Sequence, residues 1–392
     1  MNTMYGNAGV NVSLGDLFSQ HAARVSRETW HNSRHVVIHD FAQGYFRGPR
    51  AFDFVNLPEG WKHDGGMDGN GTKTGPIVEA WRPRVAGFDL MAMTAMDRTR
   101  WGYLPLYLDN QLDVSTLGKD NQAPAFKFFC EVMTGLHDAA NKIGVVLGYG
   151  GELAEMGDFV GSENPDAVAK FNWVGHMLGA MHPNRIIRGD TIAVGDIVIA
   201  LLENGPRSNG VSALRRALRA RFGIRWWEHP DAQDSIRAIA TPSVLYDLFL
   251  TTLNGWHNPS YEVVLPVKAI AHISGGGIPG KFGEDILYRL GLSAELDDMP
   301  VPQKILLDAL DWLRSSGEKE ATDYAGYDTW HGGPGTLAVV APEYESAFHG
   351  HARTFNIRTQ SCGRITATRN DKPRLVIGSQ FGSGESLTYP RA

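Results

Sequence analysis

Met67-Asp68-Gly69-Asn70-Gly71-Thr72-Lys73 brings a carboxylate, two glycines, a hydroxyl and an ammonium into one short run. Glycine lets backbone N–H groups approach phosphate oxygens, lysine supplies a point charge, and aspartate can hold the Mg²⁺ that neutralises a triphosphate. The order differs from a Walker A loop, which needs four residues between its first glycine and Gly-Lys-Ser/Thr. Alone, the run also reads as a tight turn, because Asp-Gly and Asn-Gly are common turn dipeptides. Further segments follow it in order and shift the balance toward a phosphate site: Met96-Asp97 in an apolar run, Gly150 to Met156, Gly205 to Gly210, and Ala271 to Gly277.

A chain of 392 residues with 43% hydrophobic and 20% charged residues has the composition of a soluble globular protein, and its length points to two domains. No apolar run approaches the ~20 residues of a membrane span, so no membrane partner is expected. The polar start, Met1 to Leu14, lacks the pattern of a secretory signal. Cys130 and Cys362 stand far apart and outside any Cys-x-x-Cys pattern, which argues against a disulfide framework or a zinc site and fits a reducing cytoplasm. A net charge of −6 gives no general attraction to nucleic acid, and Arg215, Arg216, Arg219 and Arg221 read as a solvated helix face. The histidines at 31, 35 and 39 lack a metal-ligand pattern and read as surface residues.

Apolar spacing predicts a buried helix over 85–100, with Asp97 near its end, and a strand over 104–109. It predicts an amphipathic helix over 126–142 closed by Gly144, then a strand at 145–147 that delivers the chain to Gly150-Gly151-Glu152. A strand at 171–181 and the turn His182-Pro183-Asn184 place a boundary between 181 and 190, giving domains 1–185 and 186–392. In the second half, a strand at 196–202, a glycine-rich loop and a helix over 211–222 present N–H groups and a positive dipole end to an anion. A helix over 243–253, a strand over 267–273, a helix over 302–315 and a strand over 336–340 follow. Residues 382–392 read as a loose tail.

With these segments in this order, the chain resembles the aminoimidazole ribonucleotide synthetase family, the phosphoribosylformylglycinamidine cyclo-ligases of PurM type. Tyr5 to Val10 is similar to Tyr-x-x-Ala-Gly-Val-Asp, with Asn11 at the Asp, and Asp68 to Lys73 to Asp-Gly-Val-Gly-Thr-Lys. Asp89-Leu90 through Met96-Asp97 matches the helix ending Asn-Asp, and Pro105 to Asp109 matches Pro-Leu-Phe-Leu-Asp. Gly150 to Met156 resembles Gly-Gly-Glu-Thr-Ala-Glu-Met, Gly205 to Gly210 resembles Gly-Leu-His-Ser-Asn-Gly, and Lys268 to Gly277 resembles Lys-Ala-Ile-Ala-His-Ile-Thr-Gly-Gly-Gly.

The resemblance implies an α/β (α+β), two-domain PurM-like fold, with an N-terminal mixed sheet that dimerises and a C-terminal α/β sandwich. It implies ATP-dependent ring closure of a small-molecule ribonucleotide, formylglycinamidine ribonucleotide, in purine synthesis. Asp68, Asp97 and Glu152 would hold Mg²⁺. Gly69, Gly71, Thr72, Lys73 and Gly151, with Arg207, Ser208, Asn209 and Gly210, would hold ATP or the substrate phosphate. Lys73 and His272 would serve the reaction, although His272 also reads as a satisfied strand-end histidine. Glu155 reads better as a structural carboxylate, and Asp109 as either a turn cap or a ligand.

Departures fall inside the matched motifs. Met96 replaces an amide, Leu153 a threonine, Arg207 a histidine, and Thr329-Trp330-His331 stands for Thr-Phe-Asn. Two other readings therefore stay open: an ATP-dependent small-molecule kinase of the same superfold, and a non-catalytic nucleotide-binding homologue.

Overall fold

A computed structural model describes residues 11–368 and 372–391. The Tyr5 to Val10 motif lies outside them. The chain divides into two compact units. The first comprises the described residues up to Arg98 with Tyr103–Asn184, and the second comprises Thr99–Gly102 with the described residues from Arg185 onward.

In the first unit, α1 (Val12–Arg27) starts at Asn11, whose side chain caps the helix by accepting the Leu14 N–H at 3.1 Å. Strands β1 (Val36–Asp40) and β2 (Arg50–Phe54) pair as an antiparallel ribbon. Then come β3 (Lys62–Gly69), α2 (Thr74–Glu79), α3 (Arg84–Thr99), β4 (Leu104–Val114), α4 (Pro124–Ile143), β5 (Val146–Leu147), β6 (Glu152–Glu155) and β7 (Phe171–Met181). The sheet runs β3-β7-β4-β5, and β6 also pairs with β4. Helix α4 buries Phe129, Val132, Met133 and Leu136 at helical spacing, each contributing about 1.5–3 kcal/mol. It ends at Gly144 in the left-handed region, φ 78°. It crosses α3 where glycines meet: a Cβ on Gly87 would lie 2.1 Å from the Leu136 nitrogen, and one on Gly135 would lie 2.3 Å from the Arg84 carbonyl oxygen.

The second unit contains β8 (Ile197–Leu202), α5 (Val211–Phe222), α6 (Gln233–Ile239), α7 (Asp247–Leu253), β9 (Ala269–His272), a π-helical segment Pro279–Leu287, and β10 (Ser293–Leu296). After these come α8 (Lys304–Ser315), α9 (Asp323–Thr329), β11 (Pro334–Val340), α10 (Glu345–Thr354), β12 (Thr359–Thr366), β13 (Leu375–Gly378) and β14 (Ser386–Tyr389). Its sheet has the order β14-β13-β10-β12-β8-β11-β9. Strands β8 and β11 are almost wholly buried and apolar, as central strands covered on both faces require.

Several elements differ from the sequence-based expectations for identifiable reasons. The Asp68 run is the end of a strand followed by a short 3₁₀ turn, Gly71–Lys73, rather than an isolated turn. Glycines hide that strand from periodicity, yet each marks a close approach. A Cβ on Gly66 would lie 2.8 Å from the Arg98 guanidinium carbon, and one on Gly69 would lie 2.6 Å from the Trp173 carbonyl oxygen. The expected loose tail is ordered as β14, antiparallel to β13, because Leu387 and Tyr389 find core positions at 2% and 4% exposure. His35, read as a surface residue, is buried, with Nδ1 3.2 Å from the Val55 carbonyl oxygen.

Asp247 is a fully buried carboxyl in the second unit that accepts the Thr99 hydroxyl at 2.6 Å, and burial pushes its pKa up to about 6. The folded chain therefore binds the proton more tightly than the unfolded chain does. Stability falls as pH rises from about 4 through about 6, at a cost of ~3 kcal/mol by pH 7. Asp247→Asn is expected to raise the urea midpoint at pH 7.5 by the equivalent of ~1–3 kcal/mol, with about half that gain at pH 5. An equal change at both pH values would contradict the assignment.

Candidate functional site

In the first unit, candidate side chains lie along β4 and the β5–β6 loop. Gly150 and Gly151 take φ of 86° and 72° as the chain turns from β5 into β6, so the Gly-Gly-Glu run needs glycine for its backbone. Glu152 opens β6 and is exposed. Glu155, at the end of β6, accepts the Leu117 N–H at 2.8 Å and the Asn11 N–H at 2.9 Å, tying the start of α1 to the loop before α4. Asp109 lies within β4 rather than at its end, and Tyr107 donates to it at 3.1 Å. Burial raises the Asp109 pKa, with the Tyr107 hydrogen bond and the nearby His176 acting against the rise. Gly148 passes so close that a Cβ there would sit 1.9 Å from the Asp109 carboxylate. Beside this loop is a cavity of about 350 Å³ walled by Trp30, Phe52, Tyr107 and Tyr149, with Phe52 and Tyr107 stacked at 4.3 Å. Periodicity gave no sign of it, because its aromatic residues come from separate loops and strands.

Asp68, Asp97 and Glu152 do not gather. Among the described residues, no three His, Cys, Asp or Glu side chains are placed to hold a metal ion. The register gives the reason: Asp68 pairs with Gly175 of β7, Gly175 with Asn110 of β4, and the next β4 residue, Gln111, with Glu152 of β6. Three strand spacings, about 14 Å, separate the two ends. Asp97 follows Met96 on α3, and Met96 is fully buried in the core. A Mg²⁺ ion shared by these three carboxylates of one chain does not fit the arrangement.

Lys73, read as a charge offered to phosphate, turns inward: its ammonium lies 2.8 Å from Asp89, and both side chains are fully buried. Asp68 Oδ1 accepts the Gly69 N–H at 2.7 Å, which shapes the turn between β3 and α2.

In the second unit, the Gly205–Gly210 loop leads from β8 into α5. Ser208 Oγ is buried and has no hydrogen-bond partner among the described residues. Beside it Gly210 caps α5 with φ 65° and without a side-chain cap, so the first N–H groups of the helix lack intrahelical acceptors. An unpartnered hydroxyl beside a helix N-terminus is the donor set a phosphate group needs. A larger residue at Gly210 would be crowded: a Cβ would fall 2.4 Å from Trp330 Cδ1 and 2.5 Å from the Thr329 carbonyl oxygen. Gly210→Ala is expected to lower the thermal midpoint by several degrees; an unchanged midpoint would contradict this packing.

The residues that depart from the motifs the sequence resembles hold this loop. Arg207, read as a fork for phosphate, has no exposed surface, pairs with the buried Glu203, and donates to His272 Nε2 at 3.1 Å. A guanidinium only donates, so His272 Nε2 accepts and that nitrogen carries no proton. His272 is thus a satisfied strand-end histidine, buried at the end of β9. Glu203 also accepts the Tyr246 hydroxyl at 3.0 Å and the Val244 N–H at 3.1 Å. Burial drives the Tyr246 pKa well above its ordinary value. His331 accepts the Gly333 N–H at 3.1 Å and donates through Nε2 to the Gly205 carbonyl at 3.0 Å, while Trp330 Nε1 donates to the Gly210 carbonyl at 3.1 Å. Three substituted positions, Arg207, Trp330 and His331, thus form one clamp around one loop.

No protein-family model matches the sequence. The chain is similar to the phosphoribosylformylglycinamidine cyclo-ligase of Anaeromyxobacter dehalogenans (strain 2CP-C), with 29% identity over 368 residues, covering 94% of this chain and 96% of that protein. It is similar to the cyclo-ligase of Synechococcus sp. (strain JA-2-3B'a(2-13)), with 27% identity over 394 residues, covering 98% and 99%. Among solved structures it matches thiamine-monophosphate kinase from Stenotrophomonas maltophilia K279a, with a TM-score of 0.57 at 15% identity over 91% of this chain and 95% of that one. It also matches the hydrogenase maturation protein HypE in complex with ATP, with a TM-score of 0.53 at 12% identity over 87% of each chain. These likenesses show the PurM-like fold.

Proposed function

We propose that the chain is a divergent phosphoribosylformylglycinamidine cyclo-ligase. ATP phosphorylates the formyl amide oxygen of formylglycinamidine ribonucleotide and leaves as ADP; an internal nitrogen then displaces that oxygen as phosphate, closing the imidazole ring of 5-aminoimidazole ribonucleotide. The observation that carries this reading is similarity to cyclo-ligases along nearly the whole of both chains.

Phosphoryl transfer is mostly positioning and charge stabilisation, and the chain supplies donors for both. In this reading Ser208 Oγ and the first N–H groups of α5 hold a phosphate. The turn Asp68, Gly69, Gly71 and Thr72, with Gly151 and Glu152, borders the nucleotide. The cavity walled by Trp30, Phe52 and Tyr107 suits a flat heteroaromatic base, and its volume of about 350 Å³ is that of a small-ligand site. Lys73, Arg207 and His272 act as positioning residues, because their polar ends are buried against protein partners. Pairing of two chains along the β3 edge, where Met67 is 69% exposed, is the dimer contact this reading expects.

The separation of Asp68 from Glu152 favours a second reading, a homologue that binds nucleotide without turnover. Incubation with ATP, Mg²⁺ and formylglycinamidine ribonucleotide separates the two. ADP formation that depends on the ribonucleotide supports the cyclo-ligase. ATP binding without ADP formation overturns it in favour of the second reading.

A further inference from the structure

We propose that a cleft between α10 and the start of β12, apart from the Gly205–Gly210 loop, binds a phosphorylated small molecule. The cleft has a volume of about 990 Å³, at the upper end of the range for small-molecule sites. Two arginines line it, and no carboxylate neutralises either one among the described residues. Arg353 is exposed on α10, and its guanidinium forms no ion pair or hydrogen bond among the described residues. Arg358 uses Nη2 to donate to the Glu203 carbonyl at 3.0 Å and to Asn204 Oδ1 at 2.9 Å. A guanidinium carries five N–H donors, so Nε and Nη1 of Arg358 remain for a ligand.

The lining carboxylate, Glu345, is already engaged by the Ser361 hydroxyl. Because Ser361 gives its proton to Glu345, the His349 Nε2 found 3.0 Å from Ser361 Oγ must donate to it. The other ring nitrogen, Nδ1, lies 2.7 Å from Thr359 Oγ1. The imidazole is held at both ends on the cleft wall. Beside the Glu345 carboxylate, whose charge the Ser361 hydrogen bond leaves in place, the cleft offers a ligand two forked cations and the amide of Asn356. Guanidinium forks match tetrahedral phosphate oxygens, and several acceptor oxygens are needed to use two of them.

Arg358 also grips Glu203 and Asn204, immediately before the Gly205–Gly210 loop. A ligand drawing on Nε and Nη1 leaves that grip in place and fixes the arginine making it. Occupancy of the cleft therefore reaches the loop through one side chain.

The test is calorimetric titration of inorganic pyrophosphate into the full chain previously titrated to saturation with ADP. Wild type is expected to show a further binding event, and Arg353→Gln to weaken it at least tenfold while ADP affinity and ADP formation stay within twofold. Arg353 has no internal partner among the described residues, so this variant keeps the fold; His349→Gln is the second variant, expected to weaken the same event. Absence of the event in wild type, or unchanged affinity in Arg353→Gln, overturns the proposal. The ADP titration comes first, so a failure of the nucleotide reading appears there. The pyrophosphate comparison of wild type with Arg353→Gln then proceeds without ADP and decides the cleft by the same two outcomes.

Discussion

Lys73→Met is expected to destabilise the chain by ~3–5 kcal/mol, because it leaves the Asp89 carboxylate buried without its counter-ion. Urea unfolding at pH 7.5 reads the loss as a shift of midpoint at constant slope. The double variant Lys73→Met with Asp89→Leu is expected to recover most of it, since a buried ion pair replaced by apolar side chains of similar size is often neutral. The comparison separates two roles for the same residue. A lysine that touches phosphate would lose ATP affinity in both variants while stability held in the single one. A lysine that organises the turn after β3 loses stability first and regains it with its partner removed.

The second large effect is at Arg207. Arg207→Met removes the cation from a buried cluster and leaves Glu203 without its ion-pair partner among the described residues, facing the Tyr246 hydroxyl and backbone donors. A loss of ~3–5 kcal/mol is expected. Arg207 also holds φ at 56°, a left-handed conformation costing a non-glycine residue about 1–2 kcal/mol. Its hydrogen bonds and ion pair offset that strain, and any other side chain inherits the strain without them. Adding Glu203→Gln is expected to return part of the stability but not anion binding at Ser208, because the clamp through His272 stays broken. Calorimetry with a non-hydrolysable ATP analogue checks this. Full binding by the double variant would show that the loop keeps its shape without Arg207.

How far the sequence discloses this molecule follows from what each residue type can report. Helix α4 and strand β7 were legible because their apolar positions repeat at 3.6 and at alternate residues on half-buried surfaces. Helix α5 was legible because Gly210 and Gly223 bracket it. Strand β3 was not, since Gly65, Gly66 and Gly69 erase its period while serving close approach. Strands β13 and β14 were too short to show a pattern. The turn from the Ser208 loop into α5 could be read because glycine spacing encodes its backbone. Direction could not: Lys73 and Arg207 have the same letters whether they face a phosphate or a buried carboxylate. Only the positions of Asp89 and Glu203 in space decide. The three metal carboxylates fail for a related reason, because motif order says nothing of how many strands lie between Asp68 and Glu152.

Ring closure by phosphorylation makes a demand on one oxygen atom, the formyl oxygen of the ribonucleotide, which must leave as part of phosphate. Turnover of formylglycinamidine ribonucleotide labelled with ¹⁸O at that position, followed by mass spectrometry of the products, reads it directly. The proposed function predicts one labelled oxygen in each released phosphate and none in the imidazole product. Unlabelled phosphate, released by water attack on ATP while the ribonucleotide stays open, would contradict it.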